Sequence, residues 1–205
     1  METVGVLGTG TMGAGIVQVV AQAGYRVVAC DRSVGTLERA QLYVRDGLGR
    51  FARKGVITES EAGIAYDRIH WTGNVEEMGE AEAVVERVGQ KKEALGALDA
   101  LLPTGSLLLT NTSSISITDL ASATGRPERV CGAHFFTPPP LREAVEIPCG
   151  LLTSDETVER VKELISSFGK LPVVVRKDVP GFVANRFLMP MLIEATRWSR
   201  GPTSG

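Results

Sequence analysis

Two features near the start of the chain could hold a phosphorylated ligand. Gly8-Thr9-Gly10-Thr11-Met12-Gly13 has the spacing G-x-G-x-x-G. Gly8 permits a tight turn, Gly10 lets backbone approach a pyrophosphate, and Gly13 allows close helix–strand packing, with Thr11 and Met12 completing the loop. A helix opening here turns unpaired N–H groups and the positive end of its dipole toward phosphate. Asp31 stands 18 positions beyond Gly13, near the ≈ 20-residue spacing at which an acidic side chain meets a ribose 2′-hydroxyl. A carboxylate there repels a 2′-phosphate and favours NAD over NADP, although the neighbouring Arg32 could accommodate that phosphate. Together these residues point to the binding of a dinucleotide.

The motif gains meaning from the elements around it. Val4–Gly8 reads as a short buried strand, Met12–Ala23 as a helix stopped by Gly24, and Tyr25–Asp31 as a second strand. A helical stretch covers about Ser33–Lys54, with Gly47, Gly49 and Gly55 as weak points. Thr58 with Glu61 three residues on is a capping-box signature. Further strands are expected at Arg68–Thr72, Ala83–Val85, Ser106–Thr110, Val130–Phe136, Ala144–Ile147 and Val173–Val175. Helices are expected over about Gly89–Leu102, from Ser154 to Phe168, and over Phe182–Trp198. Strands alternating with helices imply βαβ units: an α/β, Rossmann-like, doubly wound and mostly parallel sheet with helices on both faces.

Composition agrees with an ordinary globular protein. The 205 residues are 43% hydrophobic and 22% charged, with a net charge of −2 from 22 basic and 24 acidic residues. That composition excludes a disordered or disulfide-stapled chain, and it offers no basic excess for nucleic acid or an anionic membrane. Cys30, Cys131 and Cys149 are odd in number and lack CxxC spacing, and His70 and His134 are the only histidines. Neither a disulfide framework nor a metal site is expected. No apolar stretch approaches the length of a membrane span, and no secretory leader pattern opens the chain. A cytoplasmic setting is the expectation.

Four blocks are more specific than the glycine motif: VGVLGTGTMGAGI, NTSSISI, GAHFF-x-PPP with the following Val145-Glu146, and PGFVANR. On these, from Val4 to about Ala195, the sequence resembles the 3-hydroxyacyl-CoA dehydrogenase family, its 3-hydroxybutyryl-CoA members in particular. The resemblance implies a Rossmann-like N-terminal domain followed by a helical C-terminal domain. It implies reversible NAD-linked oxidation of a 3-hydroxyacyl thioester to the 3-ketoacyl thioester, with acyl-CoA as the substrate. His134 would be the base for the hydroxyl proton, imidazole being the side chain suited to proton exchange near neutrality. Residue type alone favours a buried structural histidine hydrogen-bonded to backbone. Glu146 would hold the other ring nitrogen, with Glu143 as a nearby competitor on the opposite strand face. Ser113 would contact the substrate oxygen near the nicotinamide, and Asn185 the substrate carbonyl. Asn111, Thr112 and Ser114 read as turn and cap residues. Glu86 and Lys91, in a segment resembling EAVVE-x4-KK, would contact the cofactor, and Lys54 the CoA moiety.

Three departures bear on this expectation. Thr137 stands where the family usually has asparagine beside the nicotinamide, offering one hydroxyl in place of a two-ended amide. The chain is shorter than the family pattern around Glu82–Glu86. Either Ala83-Val84-Val85 itself becomes the central strand, shifting Glu86, or that strand is lost; unpaired ladder groups in the neighbouring strands argue for the first. Finally, residues 1–179 are expected to form the NAD-binding domain and 180–205 only the start of the helical domain, leaving that domain largely absent. A homodimer is then expected only where the helical domain is present. Other readings are a dehydrogenase of free 3-hydroxy acids or of hydroxyacyl groups on an acyl carrier protein, and a catalytically weak NAD-binding truncation.

Overall fold

A computed structural model describes residues 3–81, 83–86 and 91–199, and only the backbone of 83–86 and 91. The first βαβ unit runs β1 (Thr3–Leu7), α1 (Thr11–Gln22) and β2 (Arg26–Cys30). Next come α2 (Val34–Arg53), α3 (Glu59–Asp67) and β3 (Ile69–Thr72). Ser33 caps α2 by accepting the Thr36 N–H, and Thr58 and Glu61 form the full reciprocal box on α3. Gly47 does not break α2. It lies against the buried Gln18 of α1, where a Cβ would meet the amide oxygen at 2.2 Å, so glycine here permits close helix packing.

The second half supplies β4 (Ala83–Glu86), α4 (Lys91–Leu101), β5 (Leu107–Thr110), α5 (Ile117–Ala121) and β6 (Val130–Gly132). The described strands order as β3-β2-β1-β4-β5-β6, every pairing parallel. This is the doubly wound order, with its reversal between β1 and β4. The short segment therefore keeps its central strand: Ala83–Glu86 pairs with β1 on one side and β5 on the other.

Alternate residues of the strands feed two separate cores. Val4, Val6, Val27, Ala29, Leu107 and Leu109 pack with α1, α2, α3 and α6 (Asp155–Ser167). Val28, Cys30 and Leu108 pack on the opposite face with α4 and α5. The period of two is what a sheet covered on both faces requires.

One expected strand is two. Val130–Phe136 divides into β6, in the large sheet, and β7 (His134–Phe135), which pairs antiparallel with β8 (Ala144–Pro148). β8 pairs parallel with β9 (Leu171–Val175), completing a second, three-stranded sheet. At the changeover the Ala133 N–H still donates to Thr110 O, while Gly132 passes so close to Pro148 that a Cβ would lie 2.2 Å from its ring. The last helix, α7 (Ala184–Ser199), starts later than expected. Phe182 is outside it, in a left-handed conformation (φ 47°) after Gly181 (φ 79°), and is 2% exposed. Phe187, Met191, Ile193 and Trp198 of α7 are exposed.

Candidate active site

The parallel strands of the larger sheet point their carboxyl ends to one edge, where ligands bind in open α/β sheets. β1 delivers the glycine loop there. Gly8 (φ 92°) makes the turn, and a Cβ on Gly13 would lie 1.8 Å from Gly8 O, so helix and loop can meet only through glycine. A Cβ on Gly10 would meet nothing within 4 Å, leaving open space beside the loop. α1 has no side-chain N-cap and no acidic residue in its first turn, so its terminal N–H donors are left for an anion. Asp31, just beyond β2, accepts the Thr9 N–H on Oδ2 at 2.9 Å and the Ser33 N–H on Oδ1 at 3.0 Å. It thus ties the glycine loop to the start of α2.

Across the crevice, β6 leads into His134. Its Nδ1 lies 2.8 Å from Glu146 Oε2, and the two residues face each other in the β7–β8 ladder. Both are buried, at 5% and 3% exposure. Burial alone raises the carboxyl pKa of Glu146, but hydrogen bonds from His134, Ala184 and Val183 outweigh it and hold the group below the ordinary glutamate value. An ionised carboxylate only accepts, so the bond places a proton on Nδ1 and leaves Nε2 turned away from Glu146. Glu146 Oε1 accepts the N–H groups of Val183 (3.0 Å) and Ala184 (2.7 Å), capping α7 immediately before Asn185. The rings of Phe136 and Phe182 stand edge-on to His134, with centroids 4.9 and 5.6 Å away.

The remaining expected site residues fall unevenly. Ser113 is exposed on the segment after β5, and that segment is pinned to the histidine strand because Asn111 Oδ1 accepts the Phe135 N–H at 2.8 Å. Thr137 donates its hydroxyl to Met12 Sδ at 3.0 Å, so the loop after His134 touches the first turn of α1. Glu86 ends β4 opposite Leu7, beside the glycine loop, and Lys91 opens α4; their side chains lie outside the described residues. Lys54 is not brought to the dyad. It caps the far end of α2, about 30 Å of helix from Ser33.

Several contributors escape the sequence reading. Asn111 reads as a turn residue although it holds Phe135 in place, and the signal available was its position in NTSSISI. Asp178 accepts from the Ser116 hydroxyl (2.6 Å) and from the N–H groups of Ile117 (3.0 Å) and Thr118 (2.8 Å), bracing the Ser113 segment from 60 residues away. No local pattern announces such a bond. Among the described residues no group of three or more His, Cys, Asp or Glu is placed for a metal, and no helix is long and apolar enough to cross a membrane.

Known proteins share this fold. The chain is 40% identical over 195 residues to a probable 3-hydroxybutyryl-CoA dehydrogenase of Deinococcus radiodurans, covering 93% of this chain and 69% of that one. It is 36% identical over 220 residues to the mitochondrial hydroxyacyl-coenzyme A dehydrogenase of Sus scrofa, covering 100% and 68%. It superposes on the crystal structure of an (S)-3-hydroxybutyryl-CoA dehydrogenase from Ralstonia eutropha with a TM-score of 0.91 at 38% identity, over 95% of this chain and 70% of that one. The sequence profile described as "3-hydroxyacyl-CoA dehydrogenase, NAD binding domain" matches residues 3–179, the span holding the glycine loop, Asp31 and the His134–Glu146 pair. The chain belongs to the 3-hydroxyacyl-CoA dehydrogenase family.

Proposed function

We propose that this chain catalyses the reversible NAD-linked oxidation of a 3-hydroxyacyl-CoA, such as 3-hydroxybutyryl-CoA, to the 3-ketoacyl-CoA. The observation that carries the reading is the buried His134–Glu146 pair, set across the crevice from an uncapped glycine-loop helix. The open space at Gly10 and the bare N-terminus of α1 suit a pyrophosphate, and Asp31 stands where a ribose would reach it. Bound NAD supplies the hydride acceptor for the substrate carbon.

The chain's own residues then handle the proton. His134 Nε2 takes the hydroxyl proton as hydride leaves carbon, and Glu146 stabilises the resulting imidazolium without changing partners. Ser113 donates toward the developing oxyanion and Asn185 toward the thioester carbonyl. Phe136 and Phe182 keep water from the imidazole. Glu86, Lys91 and Thr137 complete the cofactor side, and Lys54 serves the CoA end.

We read residues 1–179 as the NAD-binding unit and 180–205 as the start of a helical domain. The apolar side chains that α7 exposes, Phe187 and Trp198 among them, support this, and a homodimer would form through that helical part. Three free, buried cysteines suit a reducing cytoplasm.

The test is reduction of acetoacetyl-CoA followed by NADH absorbance. The expected result is turnover that His134→Ala abolishes. A folded preparation that binds NADH and turns over no CoA thioester overturns the reading. Side-by-side assays with carrier-protein thioesters and free 3-hydroxy acids assign the carrier.

A further inference from the structure

The loop after the dyad is held by a residue that the chemistry above does not use. Lys170, in the turn between α6 and β9, points its ammonium into the concave side of residues 137–143. Nζ donates to Pro139 O (2.9 Å), Arg142 O (2.8 Å) and, more weakly, Pro140 O (3.5 Å). Its three donors are thus directed at three carbonyls of one loop. The Leu171 N–H adds a bond to Glu143 O (2.8 Å), and Arg142 Nε closes the loop on Thr137 O (2.9 Å). A half-buried ammonium bears a desolvation cost, and burial does hold its pKa below the ordinary lysine value, with Glu143 pulling the other way. The charge is retained against that cost because the carbonyls converge on it.

The opposite side of this loop rests on α1. Pro139 is buried over Gly15, where a Cβ would lie 2.7 Å from the proline ring. Thr137 reaches Met12 Sδ. One end of the loop is therefore the His134 strand, its middle sits on the helix whose N-terminus faces the pyrophosphate, and Lys170 fixes its curvature. The hydride-bearing ring would have to lie beside this loop for His134 to serve the same substrate carbon.

We propose that Lys170 is a positioning residue for hydride transfer: its ammonium seats the 137–143 loop on α1 and so sets the separation between the nicotinamide end of the cofactor and His134. This rests on the dehydrogenase reading given above. Its distinguishing consequence is selectivity within the cofactor. The adenine, riboses and pyrophosphate would meet the glycine loop and Asp31, which Lys170 does not touch, whereas the nicotinamide would meet the loop that it holds.

The experiment compares NADH with ADP-ribose, which lacks only the nicotinamide, by calorimetry on the whole chain. In Lys170→Met the NADH Kd is expected to rise about tenfold, as for loss of a charged hydrogen-bond donor, while ADP-ribose affinity is unchanged. Lys170→Arg, which keeps the charge but not the compact three-way donor, should fall between. Arg142→Ala removes the exposed clasp on Thr137 and should reproduce the selectivity in smaller measure, including in the event that Lys170→Met does not fold. Equal weakening of both ligands, or unchanged NADH binding, in whichever of these variants folds overturns the proposal. A wild-type chain that does not bind NADH overturns the dehydrogenase reading itself, and the proposal with it.

Discussion

Glu146 faces His134 directly across the β7–β8 ladder, and the 2.8 Å bond from Nδ1 to Oε2 engages only one of its carboxylate oxygens. The other oxygen holds the Val183 and Ala184 N–H groups. One buried side chain therefore fixes the tautomer of the histidine and the start of the helix that carries Asn185. Both functions depend on a group that accepts on every side.

Glu146→Gln breaks that requirement at near-constant volume. If the amide oxygen stays on Val183 and Ala184, its NH2 faces His134 Nδ1. Nδ1 must then accept, and the proton moves to Nε2, the atom needed as base. If the amide flips, the α7 donors face an NH2 group instead. The expected outcome is a kcat about 10³-fold lower with a folded chain, read by acetoacetyl-CoA reduction. Unchanged kcat would remove Glu146 from the mechanism.

The same carboxylate gives a pH signature. Its folded pKa lies below the ordinary value, so the stability it contributes is fully present above about pH 4.3, the unfolded glutamate value, and is lost as pH falls through the lower folded value. Urea unfolding of wild type and Glu146→Gln between pH 5 and pH 3 should show the full gap at the upper end. The gap should narrow below pH 4.3. A gap that fails to narrow below pH 4.3 contradicts the assignment.

What could be read beforehand was local. The loop from Gly8 to Gly13, the Ser33 cap and the Thr58–Glu61 box each sit within a few residues of the structure they specify. The retention of β4 follows from the ladder bonds that its neighbours must make. Partner changes were not legible. Val130–Phe136 has one continuous strand pattern, yet its hydrogen bonds pass from Thr110 to Glu146's strand after Ala133, and periodicity carries no information on which strand accepts them. Phe182 looked helical because an apolar run follows it, but Gly181 and the Glu146 cap start the helix two residues later. Asp178 and Lys170 act through side chains on residues distant in sequence.

Two glycines of the loop should separate folding from binding. Gly10 has an ordinary backbone conformation (φ −58°) and free space around a Cβ, so Gly10→Ala should melt like wild type yet bind NADH at least about tenfold more weakly, because the methyl stands in the pyrophosphate's approach. Gly13→Ala meets backbone oxygen at 1.8 Å and should lose about 1–3 kcal/mol of stability as well. Thermal melts and NADH titrations of the pair check this. Equal melting losses would mean that the space beside Gly10 is filled.

Asp178 offers the last test, of the Ser113 segment. Its carboxylate satisfies the first two N–H groups of α5 and the Ser116 hydroxyl together, and Ser116 in turn accepts the Asp119 N–H. Burial alone raises its pKa, but the bonds from Ser116, Thr118 and Ile117 outweigh it and keep the carboxyl below the usual aspartate value. Asp178→Ala leaves these donors without their acceptor and should cost about 2 kcal/mol in urea unfolding. Asp178→Asn keeps one carbonyl oxygen and should cost less. Because α5 follows the Ser113 turn directly, the loosened segment should raise KM for acetoacetyl-CoA while NADH affinity, assigned to the glycine loop, Asp31 and the 137–143 loop, stays constant. A stability loss with unchanged KM would confine Asp178 to folding and detach the Ser113 segment from substrate binding.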